Sequence, residues 1–342
     1  MRLDKFMKTG TVIQSLLLAL LALTVIAAPV AAGTTEVRLK RARTFMYQIQ
    51  GLDRRGAITA LAKTDYPLLV LEPTNTNRGS EDFNTARMVR RLQWTPRGKR
   101  RVILAYIDIG EAEDYRAYWQ SDWRAPSGGN PGSPDFILKA DPDGWSGNYP
   151  VAYWDARWQG IWLGEGGLVR RLAAAGFDGV YLDWVEAYDD DTVRAAARRA
   201  GVNTVRKMVG FIRRIKRNGR LVNPNFVVVA QNAPYLIDRD SRYARIIDGL
   251  GVEDTWFGGE ADAPWKSPRG GDIPNRNEGR FSTGGLKRQY QKYIRAGLPV
   301  FSIDYCLSRA NAAQVYRDAR AAGLRPLVTR TALSRLTTTP PP

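Results

Sequence analysis

Residues 179–186 read GVYLDWVE, a short apolar run that ends in the carboxylates Asp183 and Glu186. Six further apolar runs end in the same way, in an acid or a carboxamide, and none of the seven contains Lys or Arg. They span residues 68–72, 104–111, 151–155, 227–232, 249–254 and 300–304. Short continuous apolar runs separated by helical stretches are typical of parallel strands that are covered on both faces. Because function in such sheets lies at the carboxyl ends of the strands, the sequence predicts an acidic functional face.

Eight strand candidates alternate with amphipathic helical stretches along the chain. The predicted strands are residues 45–50, 68–72, 102–108, 151–155, 179–183, 226–231, 249–253 and 299–304. Ser308 predicts the start of the last helix, and Gly219 predicts the end of an earlier one. The pattern predicts the α/β class and a single (β/α)8 TIM barrel, with an open doubly wound sheet as the alternative. The Gly- and Pro-rich stretches 125–134 and 258–285 are expected to form long loops on its carboxyl face.

The first 32 residues have the pattern of a secretory signal peptide. Arg2, Lys5 and Lys8 precede an apolar stretch over roughly residues 12–28, and small residues follow it up to Ala32. We therefore expect a secreted or periplasmic protein, with an uncleaved membrane anchor as the alternative. The only cysteine is Cys306, so a lipoprotein is not expected. The predicted division is a signal peptide over 1–32, an N-terminal arm over 33–43, one barrel domain over 44–336 and a disordered tail over 337–342.

The charge balance bears on the partners of the protein. The chain has 51 Lys and Arg residues against 34 Asp and Glu residues, which gives a formal net charge of +17. In an intracellular protein this charge would point to nucleic acid. In an exported monomer, which is what we expect, the same charge would favour an anionic cell-envelope surface, and no nucleic-acid partner is predicted. Many of the basic residues fall on predicted outer helix faces, where solvation alone explains them.

The residue inventory excludes several kinds of chemistry. The chain has no histidine, which removes Ser-His-Asp triads, histidine-bound zinc and imidazole acid–base catalysis. No GxGxxG motif or phosphate loop follows the first predicted strand, so no nucleotide cofactor is expected. Carboxylates can also hold Mg²⁺ or Ca²⁺, but none of the acids has the spacing of a dedicated metal loop, and no metal is predicted. Two carboxylates at facing strand ends are suited to cleavage of a glycosidic bond.

Aromatic residues accompany the strand-end acids. Trp154, Trp184, Tyr188, Trp256 and Tyr305 each lie within a few residues of such an acid. Flat apolar rings with polar edges fit the faces of sugar rings, whereas packing at the rim of the barrel is the simpler explanation for any single one of them. Taken as a set, they favour a carbohydrate-binding mouth.

Several longer strings carry a family resemblance. They are AYIDIGEAEDYRAYW at 105–119, GFDGVYLDWVEAY at 176–188, VVAQNA at 228–233, GVEDTWF at 251–257 and GLPVFSIDY at 297–305. In this order they resemble glycoside hydrolase family 114, the endo-α-1,4-polygalactosaminidases, over about residues 44–328. The resemblance implies a (β/α)8 barrel, retaining hydrolysis and an α-1,4-linked galactosamine polymer as substrate. It also implies Asp183 as the nucleophile and Glu253 as the general acid/base.

The positions of the two acids agree with these roles, because Asp183 and Glu253 each end a predicted strand and should reach the mouth of a barrel. A further set of residues is expected to bind or orient the substrate. It consists of Gln48, Tyr106, Asp108, Glu111, Trp154, Asp155, Trp184, Glu186, Asn232, Asp254, Trp256, Asp304 and Tyr305. An acidic mouth would attract the ammonium groups of an amino-sugar polymer. The basic exterior would repel a polycation, so a neutral, partly acetylated or anionic polymer stays open as the substrate.

Two other classes of function are compatible with the sequence. A noncatalytic envelope protein would bind polysaccharide through the same mouth without cleaving it. A basic binder of nucleic acid or of anionic surfaces would use the barrel only as a scaffold, and its affinity would fall steeply with salt.

Overall fold

A single sheet of eight parallel strands organises the protein, and the computed structural model describes residues 34–337 of it. The strands are β1 Phe45–Gln48, β2 Leu68–Leu71, β3 Val102–Asp108, β4 Gly179–Asp183, β5 Val227–Gln231, β6 Gly249–Glu253, β7 Val300–Tyr305 and β8 Arg325–Thr329. Each strand pairs with the next one along the chain, so the sheet curls into a nearly closed barrel. The predicted (β/α)8 fold is therefore confirmed.

Helices cover the outside of this sheet. They are α1 Thr35–Arg41, α2 Ala57–Ala62, α3 Thr85–Leu92, α4 Ala156–Trp162, α5 Leu168–Ala174, α6 Asp191–Arg199, α7 Thr204–Arg220, α8 Leu236–Arg239, α9 Tyr243–Ile246, α10 Thr283–Arg295 and α11 Arg309–Ala321. Ser308 starts α11 as predicted, since its hydroxyl accepts hydrogen bonds from the N–H groups of Ala310 and Asn311. Gly219 was expected to end a helix but lies inside α7, where a Cβ would overlap the ring of Phe226.

The seam between β1 and β8 is closed by hydrogen bonds from the β1 side to the chain beyond β8. The N–H groups of Ile49 and Gln50 donate to the carbonyl oxygen of Leu333 at 3.0 and 3.3 Å. The buried side chain of Gln48 donates to the carbonyl oxygens of Gln50 and Ser334 at 3.2 and 3.3 Å. Gln48 was expected to bind substrate. It holds the seam instead, because both of its amide hydrogen bonds point to backbone.

A buried arginine ties the helices of the first units to the amino-terminal end of the sheet. Arg101, at the start of β3, donates to the carbonyl oxygens of Tyr66 and Leu92 at 3.0 and 2.9 Å, and also to those of Leu61 and Thr64. A buried cation needs such acceptors, because an unpaired charge in the interior is strongly unfavourable. The arrangement fixes the ends of α2 and α3 against the barrel.

The run at residues 151–155 (VAYWD), which the sequence analysis read as the fourth strand, is not part of the sheet. Its first residue forms an isolated bridge with Ile137, and Asp155 caps α4 by accepting a hydrogen bond from the N–H of Arg157. Val151 and Tyr153 belong to the long connection from β3 to β4 and are fully buried, which explains the apolar pattern. The strand that completes the barrel is β8, which ends in Thr329 and therefore lacks the acid that marked the other strands.

The long connections lie on the carboxyl face of the barrel. The connection from β6 to α10 contains the antiparallel pair Phe257–Gly258 with Ile273–Pro274, and the connection from β3 to α4 contains the pair Glu111–Glu113 with Asn148–Pro150. Short 3₁₀ turns occur at Thr74–Thr76, Val185–Asp189 and Gly279–Phe281. Within residues 34–337, none of the helices is long and apolar enough to cross a membrane. The signal peptide predicted over residues 1–32, and all but the first residue of the tail predicted over 337–342, lie outside the described range.

We predict that Gln48→Ala lowers the free energy of unfolding by about 1–3 kcal/mol, because the substitution removes two hydrogen bonds of a buried side chain. Urea unfolding followed by circular dichroism measures the change. The control is Gln50→Ala, since Gln50 is exposed and contributes only backbone groups to the seam; it should stay within about 0.5 kcal/mol of the wild type. An unchanged stability of the Gln48 variant would contradict the assignment of Gln48 to the seam.

Candidate active site

A cleft of about 1100 Å³ opens on the carboxyl face of the barrel. The ends of β1 to β6 and the connections that follow them contribute most of its lining. Carboxylates prevail in this lining: Asp53, Glu72, Glu111, Glu113, Asp143, Asp183, Glu186, Glu253, Asp254 and Asp262, against the basic residues Arg116 and Arg276. The cleft is therefore acidic, although the whole chain is strongly basic.

The residues that follow β4, β5 and β6 share an unusual backbone conformation. Trp184, Asn232 and Asp254 have φ angles of +50°, +54° and +53°, in the left-handed region that non-glycine residues rarely adopt. Each turns the chain sharply as soon as the strand ends. Asp183 and Glu253, which directly precede two of these turns, are consequently left facing the cleft. Such strained residues persist only where the surrounding structure holds them in place.

Asp183 lies at the end of β4 and is held on both of its oxygens. The hydroxyl of Tyr106 donates to Oδ2 at 2.6 Å, and the N–H of Trp184 donates to Oδ1 at 2.8 Å. Burial raises the pKa of Asp183 to about 6, and these two hydrogen bonds oppose the rise because they favour the ionised form. The carboxylate is thus held in one orientation, and it ionises as the pH rises through about 6.

Glu253 lies at the end of β6 and accepts hydrogen bonds from three side chains. Asn232 donates to Oε2 at 3.0 Å, Gln231 donates to the same oxygen, and the hydroxyl of Tyr305 donates to Oε1. Burial, followed by the negative charge of Asp183, raises the pKa of Glu253 to about 7. The two acids line one cleft and influence each other electrostatically, as a catalytic pair requires.

Two tyrosines inside the barrel lie beneath the pair. The rings of Tyr47 and Tyr181 pack 5.3 Å apart, and the hydroxyl of Tyr47 donates to Gln231 Oε1 at 3.3 Å. Gly251 makes room for this arrangement, because a Cβ at that position would overlap the Tyr181 hydroxyl. The apolar rings limit the hydration of the two carboxylates above them, which explains the raised pKa values.

One wall of the cleft is built around the buried side chain of Arg116. Its guanidinium contacts Glu113 through two hydrogen bonds of 2.7 Å, Glu72 at 2.8 Å and Asn77 at 2.5 Å. A planar guanidinium suits such paired recognition of carboxylates. Arg116 therefore neutralises part of the acidic wall and adds no free positive charge to the cleft.

Nine of the predicted site residues come together in the cleft: the two acids of the pair and Tyr106, Glu111, Trp184, Glu186, Asn232, Asp254 and Tyr305. Tyr106, Asn232 and Tyr305 contact the pair directly. Glu111 lies further along the same wall, where its Oε2 accepts a hydrogen bond from Asn148 at 3.1 Å. Their roles toward a substrate stay predictions.

The other predicted residues lie outside the lining of the cleft. Asp108 is buried and accepts hydrogen bonds from the N–H groups of Gly110 and Glu111, at 2.9 and 2.8 Å. Asp304 is equally buried and accepts them from the N–H groups of Trp256 and Phe257, at 2.7 and 2.9 Å. Both carboxylates therefore organise the loops after β3 and β6 and are not available to orient a substrate.

The remaining corrections are Trp154, Asp155 and Trp256. Trp154 and Asp155 were expected at the mouth because residues 151–155 read as a strand, but this segment runs beside the barrel and starts α4. The buried Trp256 belongs to the loop that Asp304 holds, and its side chain is not among those that line the cleft.

The described part of the chain, residues 34–337, contains no group of three or more Cys, Asp or Glu side chains arranged to hold a metal ion.

Comparison with known proteins identifies the family. The sequence model of glycoside-hydrolase family GH114 matches residues 27–340. The chain belongs to this family. The resemblance seen in the sequence motifs is thereby confirmed, and a glycoside hydrolase is the general class of the protein.

Two relatives in other organisms are uncharacterised. One from Deinococcus radiodurans is 33% identical over 279 residues, which cover 82% of this chain and 78% of that protein. One from Methanocaldococcus jannaschii is 29% identical over 226 residues, which cover 62% of this chain and 56% of that protein.

Solved structures agree with the fold. The glycoside hydrolase domain of PelA from Pseudomonas aeruginosa superposes with a TM-score of 0.57 at 16% identity, covering 86% of this chain and 96% of that domain. Ega3 from Aspergillus fumigatus, in complex with galactosamine, gives a TM-score of 0.54 at 14% identity, covering 89% and 95% of the two chains.

Several residues of the GH114 cleft were not predicted from the sequence. They come mainly from the connections and include Asn77, Glu113, Tyr115, Asp143, Trp145, Asn148, Asp262, Arg276 and Phe281. The stretch 258–285 lines the cleft as expected, whereas the stretch 125–134 does not, and residues 143–148 line it instead. The two lining loops meet where the N–H of Ser146 donates to Asp262 Oδ2 at 3.0 Å. Among the lining residues that were not predicted, Glu72 carried a signal in the sequence, because it is the acid that directly follows β2.

We expect Arg116→Met to lower the free energy of unfolding by about 3–5 kcal/mol, because it leaves Glu72 and Glu113 buried without their cation. The matched control is Arg97→Met, which removes an exposed ion pair with Asp65 and should cost at most about 1 kcal/mol. Chemical denaturation of both variants measures the difference. Equal effects of the two substitutions would contradict the role of Arg116.

Proposed function

We propose that this GH114 protein is a secreted retaining glycosidase that cleaves an α-1,4-linked galactosamine-containing polysaccharide. The observation that carries the proposal is the pair Asp183 and Glu253, two carboxylates that share one cleft and have pKa values of about 6 and about 7. Between these values the pair holds one negative charge and one proton, which is the state that retaining hydrolysis needs.

In the first step Asp183 attacks the anomeric carbon, and a covalent glycosyl-enzyme forms. Glu253 gives its proton to the glycosidic oxygen at the same time, so that the leaving sugar departs as an alcohol. In the second step the ionised Glu253 takes a proton from water. The water oxygen then attacks the anomeric carbon, and Asp183 leaves as a carboxylate.

The hydrogen-bond donors around the pair support these roles. Tyr106 and the N–H of Trp184 hold Asp183 in one orientation, so less freedom is lost when it attacks. Asn232 and Tyr305 hold Glu253 on opposite oxygens and stabilise it as a carboxylate after it has given up its proton.

The acidity of the cleft supports an amino-sugar substrate. An ammonium group on a hexosamine would be attracted by the carboxylates of the lining, because Arg116 is already neutralised by Glu72 and Glu113. Ega3, which has the same fold, was solved with galactosamine bound. Repulsion by the basic exterior is screened over about 8–10 Å at moderate salt, so the field of the cleft dominates close to it.

Export is part of the proposal and rests on the composition of residues 1–32. A mature monomer with a basic exterior would associate with anionic polymers or headgroups of the cell envelope. Such association would keep the enzyme close to extracellular polysaccharide.

We predict that Glu253→Gln lowers kcat for hydrolysis of α-1,4-galactosamine oligosaccharides by about 10²–10⁴-fold, because the general acid is lost. Asp183→Asn should be at least as severe, because no covalent intermediate can form. Product release is followed by mass spectrometry, and product anomers by NMR.

Asp155→Asn is the control for these two variants. Asp155 was expected at the mouth but lies outside the cleft, and asparagine caps a helix as well as aspartate does. Its activity should stay within about twofold of the wild type. Full activity of the Asp183 or Glu253 variant would refute the proposed pair. Saccharide binding by the wild type without any cleavage would favour a noncatalytic binder.

We expect a bell-shaped dependence of kcat/KM on pH. Activity rises with pH as Asp183 ionises, with an apparent pKa of about 6, and falls as Glu253 loses its proton, with an apparent pKa of about 7. Tyr106→Phe removes a donor that lowers the pKa of Asp183, so the acidic limb should move to higher pH. A profile that stays flat from pH 5 to 8 would contradict both assignments.

A further inference from the structure

Phe281 is a large apolar side chain that lines the cleft and yet stays open to solvent. Its exposed fraction is 53%. It ends the 3₁₀ turn Gly279–Phe281 in the connection between β6 and α10, on the rim above the strand ends that carry Asp183 and Glu253. An exposed apolar ring inside a polar cleft is unfavourable in the free protein, so a bound molecule that covers it would gain free energy.

The ring of Phe281 is held from behind. Tyr235 packs edge-on against it, with centroids 5.8 Å apart at 80°, and the guanidinium of Arg280 lies 4.7 Å from its centroid. Arg280 also lies 5.1 Å from the ring of Tyr235 and forms an ion pair with Asp189. The carbonyl oxygen of Phe281 accepts a hydrogen bond from Asn275 at 3.2 Å.

These contacts come from the connections after β4, β5 and β6, because Asp189, Tyr235 and Phe281 each follow a different strand. The ring is therefore placed by three independent loops. A side chain fixed in this way binds a flat partner with little loss of its own conformational freedom.

We propose that Phe281, with Tyr235 and Arg280 behind it, is a stacking platform for an uncharged sugar ring of the bound polymer. The platform takes an N-acetylated hexosamine or a simple hexose, outside the sugar that Asp183 attacks. This inference rests on the proposed glycosidase function, since it assigns a second sugar position in the same cleft.

The preference for an uncharged ring follows from Arg280. Aromatic faces attract cations through their quadrupole, but here a guanidinium already lies close to the ring. An ammonium-bearing sugar on this platform would meet the positive charge of Arg280, whereas the C–H face of a neutral sugar meets only the apolar surface of the ring. The carboxylates that line the cleft favour an ammonium-bearing sugar instead. A partly acetylated chain therefore suits both the platform and the carboxylates.

The chain offers a matched control in Trp94. Its exposed fraction is 54%, and Arg100 lies 6.0 Å from its ring, so exposure and backing resemble those of Phe281. Trp94 lies between α3 and β3, at the opposite end of the barrel from the cleft. Replacing Trp94 removes a comparable exposed ring and leaves the lining of the cleft unchanged.

The experiment compares Phe281→Ala, Phe281→Trp and Trp94→Ala with the wild type. Substrates are partly acetylated galactosamine oligosaccharides of increasing length and an aryl glycoside of a single galactosamine. We expect Phe281→Ala to raise KM for the long chains by about 3- to 10-fold, with kcat and the short substrate unchanged. Phe281→Trp should restore KM, and Trp94→Ala should have no effect. Thermal unfolding establishes that each variant is folded.

Arg280→Gln tests the charge preference. It should bring KM values for fully deacetylated and for partly acetylated chains closer together, whereas the wild type favours the partly acetylated ones. An unchanged KM of an active Phe281→Ala variant, or an equal change in Trp94→Ala, would overturn the platform. If the wild type cleaves none of the substrates, the proposed function fails. The platform is then tested by calorimetry, which compares the affinity of the same oligosaccharides for the wild type and for Phe281→Ala; equal affinities would overturn it.

Discussion

The architecture of the cleft depends on keeping Asp183 and Glu253 in a partly desolvated mouth without losing either of them to a salt bridge. Burial raises the pKa of both groups, and a cation beside either one would reverse that effect. The protein uses neutral donors instead, namely Tyr106 for Asp183 and Tyr305 with Asn232 for Glu253. Such donors orient a carboxylate and moderate its pKa, and they leave it reactive. The absence of Lys and Arg from the strand-end motifs has its physical explanation here.

The acids at the strand ends divide into two groups with different duties. Asp108 and Asp304 are saturated by backbone N–H groups on one oxygen and hold the loops after β3 and β6 in place. Asp183 and Glu253 point out of the barrel, because the chain turns sharply at the residue after each of them. The first group supports the second, since the loops that Asp108 and Asp304 fix also form the walls around the pair. In this chain the strand-end acids therefore differ in what their carboxylates contact: Asp108 and Asp304 bind loop N–H groups, whereas Asp183 and Glu253 face the cleft.

The sequence predicted the barrel and the position of Asp183 and Glu253 at strand ends, because both depend on local pattern: buried runs, their terminal acids and their spacing. The prediction failed where a segment is buried by contacts with parts of the chain that are distant in sequence. Residues 151–155 read as a strand because Val151 and Tyr153 are buried within a long connection. The strand β8 was missed because it begins with Arg325-Pro326 and ends in Thr329. The same limit applies to the cleft walls. Arg116 and Phe281 sit in connections without periodicity, and only folding brings them beside the strand ends, so no spacing rule could find them.

The acidic field of the cleft depends on how its buried arginine is neutralised. Arg116 is enclosed by Glu72 and Glu113, so it does not oppose the field of the remaining carboxylates. Arg280 is held at the rim by its ion pair with Asp189 and keeps its charge beside Phe281. The rest of the positive charge is carried largely by outward helix faces such as that of α7, where water and salt screen it. A protein with a net charge of +17 can thus present an acidic cleft, because salt screens the exterior charges over about 8–10 Å whereas the carboxylates of the cleft act at contact distance. Net charge alone is consequently a poor guide to the substrate of this fold, and the pairing of individual arginines is the better one.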